Sequence, residues 1–159
     1  MSPMRRKPKG PGSGERILLP FAGNSISKRS FEAAIRLARA EDAVLMPALL
    51  AQVPMALPLD SPLPAGCLTT MPLLEAIEQK AMREGVRVDA RVSRGRTASD
   101  ALRRLLASED FDRIVVSVSD DDPRSPKTID VDWLLRKAPA EVLVLRPGPE
   151  DDREISVRA

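Results

Sequence analysis

Short apolar runs alternating with amphipathic helical stretches constrain this chain more than any other feature. Arg16–Phe21 (RILLPF) is an apolar run of strand length. From Ser27 to Ala40, Phe31, Ala34, Ile35 and Ala38 recur at i, i+3, i+4 and i+7, the spacing of one buried helix face, with serines available as caps. Val44–Ala51 reads as a second strand, in which Pro47 predicts a bulge or a locally missing ladder bond. Thr70–Glu84 reads as a helix: Thr70 can cap it, Pro72 suits its first turn, and Gly85 suits the position just past its end. Val86–Val92 alternates as a strand does. Thr97–Glu109 gathers Ala98, Ala101, Leu102, Leu105 and Leu106 on one face, with Thr97 and Asp100 forming a variant capping box. Phe111–Ser119 holds the run Ile114–Val116, as expected of a central strand buried on both faces. A helix over Thr128–Ala138, stopped by Pro139, and a last strand Glu141–Arg146 complete the series. Right-handed crossovers between such units give an α/β fold, an open five-stranded parallel sheet with helices on both faces, Rossmann-like.

The ends differ from the middle. Residues 1–14 carry Arg5, Arg6, Lys7 and Lys9 and no acid. Together with their Pro, Gly and Ser, this marks 1–15 as a disordered basic arm. Residues 148–159 read as an acidic, flexible C-terminal tail, leaving 16–147 as one folded domain with almost no net charge. Positive charge on an arm rather than on the fold argues against a nucleic-acid partner. The arm has no apolar core of a secretory signal. Ala43–Leu59 is apolar, but as a helix it would reach only about 26 Å against the ~30 Å hydrocarbon core of a bilayer. Pro47, Pro54 and Pro58 would also break it, so it reads as a strand running into a Pro-rich loop over 53–69. No membrane span and a cytoplasmic location are expected.

Small counts exclude most chemistry. There is no His, which removes Ser–His and Cys–His nucleophilic sites and imidazole metal sites. Cys67 is the one cysteine, so neither an intrachain disulfide nor a Cys-rich metal cluster can form. With no Tyr, three Phe and one Trp, platforms for stacking bases are few. Neither G-x-G-x-x-G nor G-x-x-x-x-G-K-[ST] occurs. The expectation is a protein that is not an enzyme and has no catalytic residues or metal.

In such a sheet a ligand sits beyond the carboxyl ends of the strands, where the strand order reverses. The loops to inspect are 22–27, 52–60, 93–97 and 119–128. Three segments carry a resemblance that bears on them. ILLPFAGNSISKRSFEAAIRLARAEDAVLMPALL resembles the opening of a universal stress protein domain. EGVRVDARVSRGRTASDALRRLLASEDFDRIVVSV resembles that family's middle segment, including a Gly after the third strand, Gly95. WLLRKAPAEVLVLRP resembles its closing helix and strand, so the match covers about residues 16–147.

The resemblance implies an open five-stranded α/β fold, homodimers, and a nucleotide site built from an Asp after the first strand and a G-x2-G-x9-G-[ST] stretch after the fourth. In this chain Ala22 stands at the Asp position, and Ser117 and Asp120 stand at the first two glycines. Thr128 and Ile129 stand at the later Gly-Ser pair, with the spacer shorter by two. Asp120–Asp122 would meet a triphosphate with three carboxylates, and like charges about 4 Å apart repel by about 1 kcal/mol even in water. The expected function is therefore a universal stress protein-like, non-catalytic, dimeric binding or regulatory module with a degenerate nucleotide site and no cofactor. The alternative is an ATP- or AMP-binding stress-response domain with a divergent loop and weak hydrolysis, the Asp run holding Mg2+. A third reading is a docking module whose basic arm touches anionic surfaces. The candidate crevice is Ala22, Gly23, Asn24, Gly95, Ser117, Ser119 and Thr128. Arg94 and Arg96, flanking Gly95, are candidates to grip a small anion. Dimerisation is expected through the last strand, Glu141–Arg146, with Trp133 as a possible anchor.

Overall fold

The computed structural model describes residues 15–23, 25–61, 71–118, 128–146 and 154–156. In chain order the elements are β1 (Arg16–Phe21), β2 (Ser25–Ser27), α1 (Lys28–Glu41), β3 (Val44–Gln52), α2 (Met71–Arg83), β4 (Arg87–Val88), β5 (Arg91–Gly95), α3 (Ala98–Ser108), β6 (Arg113–Ser117), α4 (Val131–Lys137), β7 (Glu141–Leu145) and β8 (Glu154–Ser156). Helix starts follow local capping chemistry. Ser27 accepts from the Ser30 N–H at 3.3 Å, Thr97 from the Asp100 N–H at 3.0 Å, and Asp130 from the Trp133 N–H at 3.0 Å. The last cap corrects the sequence reading: α4 begins at Val131, not Thr128, because Asp130 supplies the acceptor. Helices α1 and α2 lie close to their expected spans, and α3 spans Ala98–Ser108 with Thr97 as its cap.

All pairing in the main sheet is parallel, in the order β4/β5–β3–β1–β6–β7, so the sheet is open and the order reverses between β1 and β6. Both strand faces are covered. Ile17, Leu19, Leu45, Leu49 and Val115 meet α1 and α2 on one side. Leu18, Met46, Ala48, Leu50, Ile114 and Val116 meet α3 and α4 on the other. This double burial is why β1, β3 and β6 read as continuous apolar runs instead of alternating ones. Among the described residues no helix is long and apolar enough to cross a membrane, and the apolar stretch from Ala43 is β3 followed by a loop.

Two prolines interrupt the ladders, each at a place its missing N–H dictates. β4 and β5 pair with β3 at the same sequence offset (Val44↔Arg87, Ala48↔Arg91), so they are one strand with a gap at Asp89–Ala90. The Asp89 N–H donates to the Leu45 carbonyl at 2.9 Å. The reciprocal bond, into the Asp89 carbonyl, would have to come from Pro47, which has no N–H to give. Pro20 acts likewise on the other side. β1 and β6 pair only at Ile17↔Arg113 and Leu18↔Ile114, although both strands continue beyond. The next rung needs an N–H from position 20 into the Val115 carbonyl, and proline cannot supply it.

Strands β2 and β8 were not legible as strands in the sequence. They form a separate antiparallel ribbon with Ser25↔Ser156, Ile26↔Ile155 and Ser27↔Glu154 in register. The expectation of a flexible 148–159 tail is thereby corrected for Glu154–Ser156, whose Ile155 is buried with Ile26 against the α1/α2 core. Burying one isoleucine contributes about 1.5–3 kcal/mol. Fixing the backbone of three residues costs about 1–2 kcal/mol each. Ladder bonds with β2 offset part of that cost.

Candidate functional site

The strand-order reversal puts the crevice beyond the carboxyl ends of β1 and β6, where Pro20 has already ended their ladder. Ala22, at the end of β1, is half-buried and packs toward the α3/α4 core. Gly23 follows with φ 81°, a left-handed conformation that glycine adopts without strain. On the facing strand Ser117, half-buried, closes β6 two positions after Val115 and so points to the same α1/α2 face. Val118 lies beyond it, its N–H donating to the Leu145 carbonyl at 2.7 Å, so the crevice wall on this side is tied to β7. Ala22 and Gly23 follow β1 and Ser117 ends β6, so all three stand on the carboxyl side of the switch point, with Ala22 and Ser117 toward opposite faces of the sheet. Asn24, Ser119, Asp120–Asp122 and Cys67 lie outside the described residues.

Gly95 and Thr128 belong to a second group, around the first turn of α3. A Cβ on Gly95 would stand 2.3 Å from the Ala101 nitrogen, so the bare backbone is what lets α3 lie on β5. The Ser99 hydroxyl donates to the Thr128 carbonyl at 3.2 Å and accepts from the Asp130 N–H at 2.9 Å, pinning the approach to α4 onto the same helix. Asp100 accepts from the Arg96 N–H at 2.9 Å and from Arg104 at 3.1 Å. Burial alone would raise its carboxyl, but those two donors outweigh burial and hold it below the usual range.

The two arginines beside Gly95 differ in what they do. Arg96 Nη1 donates to the carbonyls of Pro54 at 2.6 Å, Leu57 at 2.8 Å and Val53 at 3.3 Å. It therefore organises the turn after β3 and is not a free anion grip. Arg94 Nε is shielded from water and has no hydrogen-bond partner. Its place, two positions after Val92, directs it to the α1/α2 face of β5. Among the described residues no group of three or more Cys, Asp or Glu is placed to hold a metal ion.

Formal charge gathers at the opposite, amino-terminal edge of the sheet, where it is neutralised. Arg113 binds Glu15 at 2.7 Å, Glu141 at 2.9 Å, and Glu41. The hydrogen bond with Glu15, then burial, push the Glu41 carboxyl up despite the Arg113 charge. Glu109 receives Arg16 at 2.7 Å and Arg91 at 2.9 Å. Burial would raise the Glu109 carboxyl, and the two guanidinium groups more than reverse it. Asp112, itself buried, accepts from the Arg16 N–H at 2.7 Å. These networks lock strand starts together at the end away from the crevice.

Among the described residues β7 is an edge of the main sheet, with Leu143 40% exposed; Val118, just past β6, and Leu135, on α4, are exposed as well. Trp133 has partners within the chain. It packs against the α3/α4 core, and the Arg103 guanidinium stacks 4.9 Å from its ring while bridging Asp130 at 3.5 Å. Pro20 and Arg96 are the two site-shaping residues that sequence reasoning passed over or misassigned. A proline inside a strand between two others was the available signal for the first.

No protein-family model matches the chain, and no curated protein matches it in sequence. Solved structures do match it. A universal stress protein in complex with cAMP superposes at TM-score 0.60 with 19% identity, covering 85% of this chain and 98% of that one. A universal stress protein from Archaeoglobus fulgidus gives 0.62 at 13% identity, with 82% and 97% covered. A universal stress protein family member from Arabidopsis thaliana with AMP bound gives 0.61 at 14% identity, with 86% and 94% covered. At these identities the likeness lies in the arrangement of the elements: this chain has the universal stress protein fold.

Proposed function

We infer that the chain is a divergent member of the universal stress protein family and works as a non-catalytic, dimeric binding or regulatory module whose nucleotide site has degenerated. The observation that carries this reading is Ala22. It stands at the end of β1 beside the crevice, half-buried toward the α3/α4 core, where the resemblance calls for a carboxylate. An alanine methyl neither orients a ribose nor accepts a hydrogen bond. Thr128 stands where the resemblance sets a phosphate-binding glycine, and its side chain denies a phosphate the close backbone approach that glycine allows. The residues present therefore do not fit an adenine nucleotide held in the family's manner, and no chemical step is routed through one. The absence of His from the whole chain supports a role without acid–base or nucleophilic catalysis. A cytoplasmic site of action goes with this reading.

The second reading, an adenine-nucleotide binder with a divergent loop, is favoured by two of the similar structures, one in complex with cAMP and one with AMP bound. Calorimetric titration of the protein with ATP–Mg2+, AMP and cAMP separates the two. The degenerate-site reading expects no binding heat up to about 1 mM, an affinity weaker than about 4 kcal/mol. A dissociation constant in the low micromolar range for any of the three establishes the second reading instead.

Dimerisation is assigned to β7, whose open edge and exposed Leu143 form an apolar ribbon that a second copy would cover. Light scattering is expected to give twice the 17.4 kDa chain mass, and Leu143→Asp is expected to halve it. A wild-type mass that stays at one chain across a hundredfold concentration range refutes the assignment.

A further inference from the structure

Five arginines among the described residues are half-buried, and four of them are bound within the chain. Arg16, Arg91 and Arg113 meet carboxylates, and Arg96 holds backbone carbonyls. Arg94 is the fifth. No hydrogen bond or ion pair joins it to any described residue, and its Nε is sealed from water without an acceptor. A guanidinium stays charged in a protein, so it cannot relieve this by losing a proton. Its setting is apolar. Arg94 stands on the α1/α2 face of β5, two positions beyond Val92 and opposite Ala51 across the ladder. Leu49 and Ala51, the β3 residues on that face, are fully buried, and their side chains offer no acceptor. Little water screens a charge so placed, so it attracts a counter-charge more strongly than an exposed arginine does.

We propose that Arg94 binds the phosphate or carboxylate group of a small ligand at the carboxyl end of β5. The planar fork of a guanidinium matches two oxygens of either group. The carboxyl ends of the strands are where open parallel sheets take their ligands. Each other half-buried guanidinium of the described chain has its acceptors built in, and this one has them left to a visitor. The position also differs from the nucleotide site that the resemblance implies. That site sets phosphates against residues 117–129, after β6. β5 lies three strand positions from β6, about 14 Å at the usual spacing of neighbouring strands. An anion at Arg94 therefore goes beyond the degenerate-site reading, and neither implies the other.

The test follows thermal unfolding of the full-length wild type, Arg94→Met and Arg36→Met in inorganic phosphate, in acetate and in chloride at one ionic strength. Methionine keeps the unbranched stem of Arg94 and removes its donors. Arg36, exposed on α1, controls for the loss of one positive charge elsewhere. Wild type and Arg36→Met are expected to gain at least about 3 °C over chloride in about 50 mM phosphate, acetate or both, and Arg94→Met less than about 1 °C. A gain in phosphate alone assigns a phosphate ligand, and a gain in acetate alone a carboxylate. In chloride Arg94→Met is expected to melt at or above wild type, because it removes an unpaired buried donor. Equal gains in wild type and Arg94→Met would come from general salt exclusion and overturn the proposal. So would a wild type that neither anion stabilises, or an Arg94→Met that melts more than about 3 °C below wild type in chloride, which would give Arg94 a structural role. Nuclear magnetic resonance on the wild type supplies a readout independent of the variants. The Arg94 side-chain N–H signals are expected to shift saturably as the stabilising anion is added, and signals that stay in place end the proposal.

Discussion

Gly95→Ala is expected to lower the thermal midpoint by roughly 10 °C, a loss of about 3 kcal/mol or more. The added methyl would lie 2.3 Å from the Ala101 nitrogen, 2.7 Å from its Cα and 2.9 Å from the Asp100 carbonyl carbon. All three are backbone atoms in the first turn of α3, so no side chain can rotate away and the helix itself must lift. Lifting α3 uncovers Ala98, Ala101 and Leu102, all fully buried, and strains the Arg96–Asp100 bond. Gly85→Ala separates this effect from conformational strain. Gly85 has φ 78° with nothing within 4 Å of its absent Cβ, so its alanine variant should cost only about 1 kcal/mol. Thermal unfolding followed by circular dichroism measures both. A Gly95→Ala midpoint within about 2 °C of wild type would mean that α3 does not lie on β5 as described.

Arg113→Ala is expected to cost about 2–3 kcal/mol at pH 7, discounted from the full cost of orphaning a buried charge because the side chains involved are partly exposed. One guanidinium serves three carboxylates, and its removal leaves Glu15, Glu41 and Glu141 facing each other at the strand starts. The pH dependence gives the sharper check. The Glu41 carboxyl is already raised in the folded protein by its bond to Glu15 and by burial. A carboxyl whose folded value is raised contributes stability that is fully present below its unfolded value, near 4.5, and is lost as pH climbs through the folded value. Without Arg113 that value rises further, so the variant's deficit should be largest near neutrality and shrink toward pH 4.5. Urea unfolding of wild type and variant at pH 7 and pH 4.5 decides the matter, and an equal deficit at both would contradict the assignment. Arg113→Lys should recover only part of the loss, because an ammonium cannot span Glu15, Glu41 and Glu141 as the forked group does.

How much of this was legible depended on whether the deciding interaction was local. The strand–helix alternation, a serine cap for α1, the Thr97 cap and the buried runs within β1, β3 and β6 rest on near neighbours in the chain and appear in the structure, although β6 is Arg113–Ser117 within the expected Phe111–Ser119 and the expected Val86–Val92 strand is split into Arg87–Val88 and Arg91–Gly95. Pro47 announced a ladder defect because a proline inside a strand must leave one rung unmade. Pro20 made the same announcement and its target could not be read, since nothing local tells which neighbour a strand amide faces. β2 and β8 escaped for a related reason: three residues carry no periodicity, and Ser-Ile-Ser becomes a strand only when Glu-Ile-Ser, more than a hundred positions away, lies against it. Arg96 looked like an anion ligand beside a glycine at a strand end. Carbonyls of a distant turn claimed it. The crevice itself was located by topology alone, and its chemistry was legible chiefly through what Ala22 lacks.

Pro20 also divides the sheet mechanically. β4, β5, β3 and β1 form one panel and β6 and β7 the other, stitched together at two rungs near their lower ends. Above those stitches the rung that an N–H at position 20 would have supplied cannot resist a change in the gap. Above them the two panels are held by the loops and helices that bridge them, and the backbone oxygen of Val115, denied a strand donor by Pro20, lies in a residue with no exposed surface.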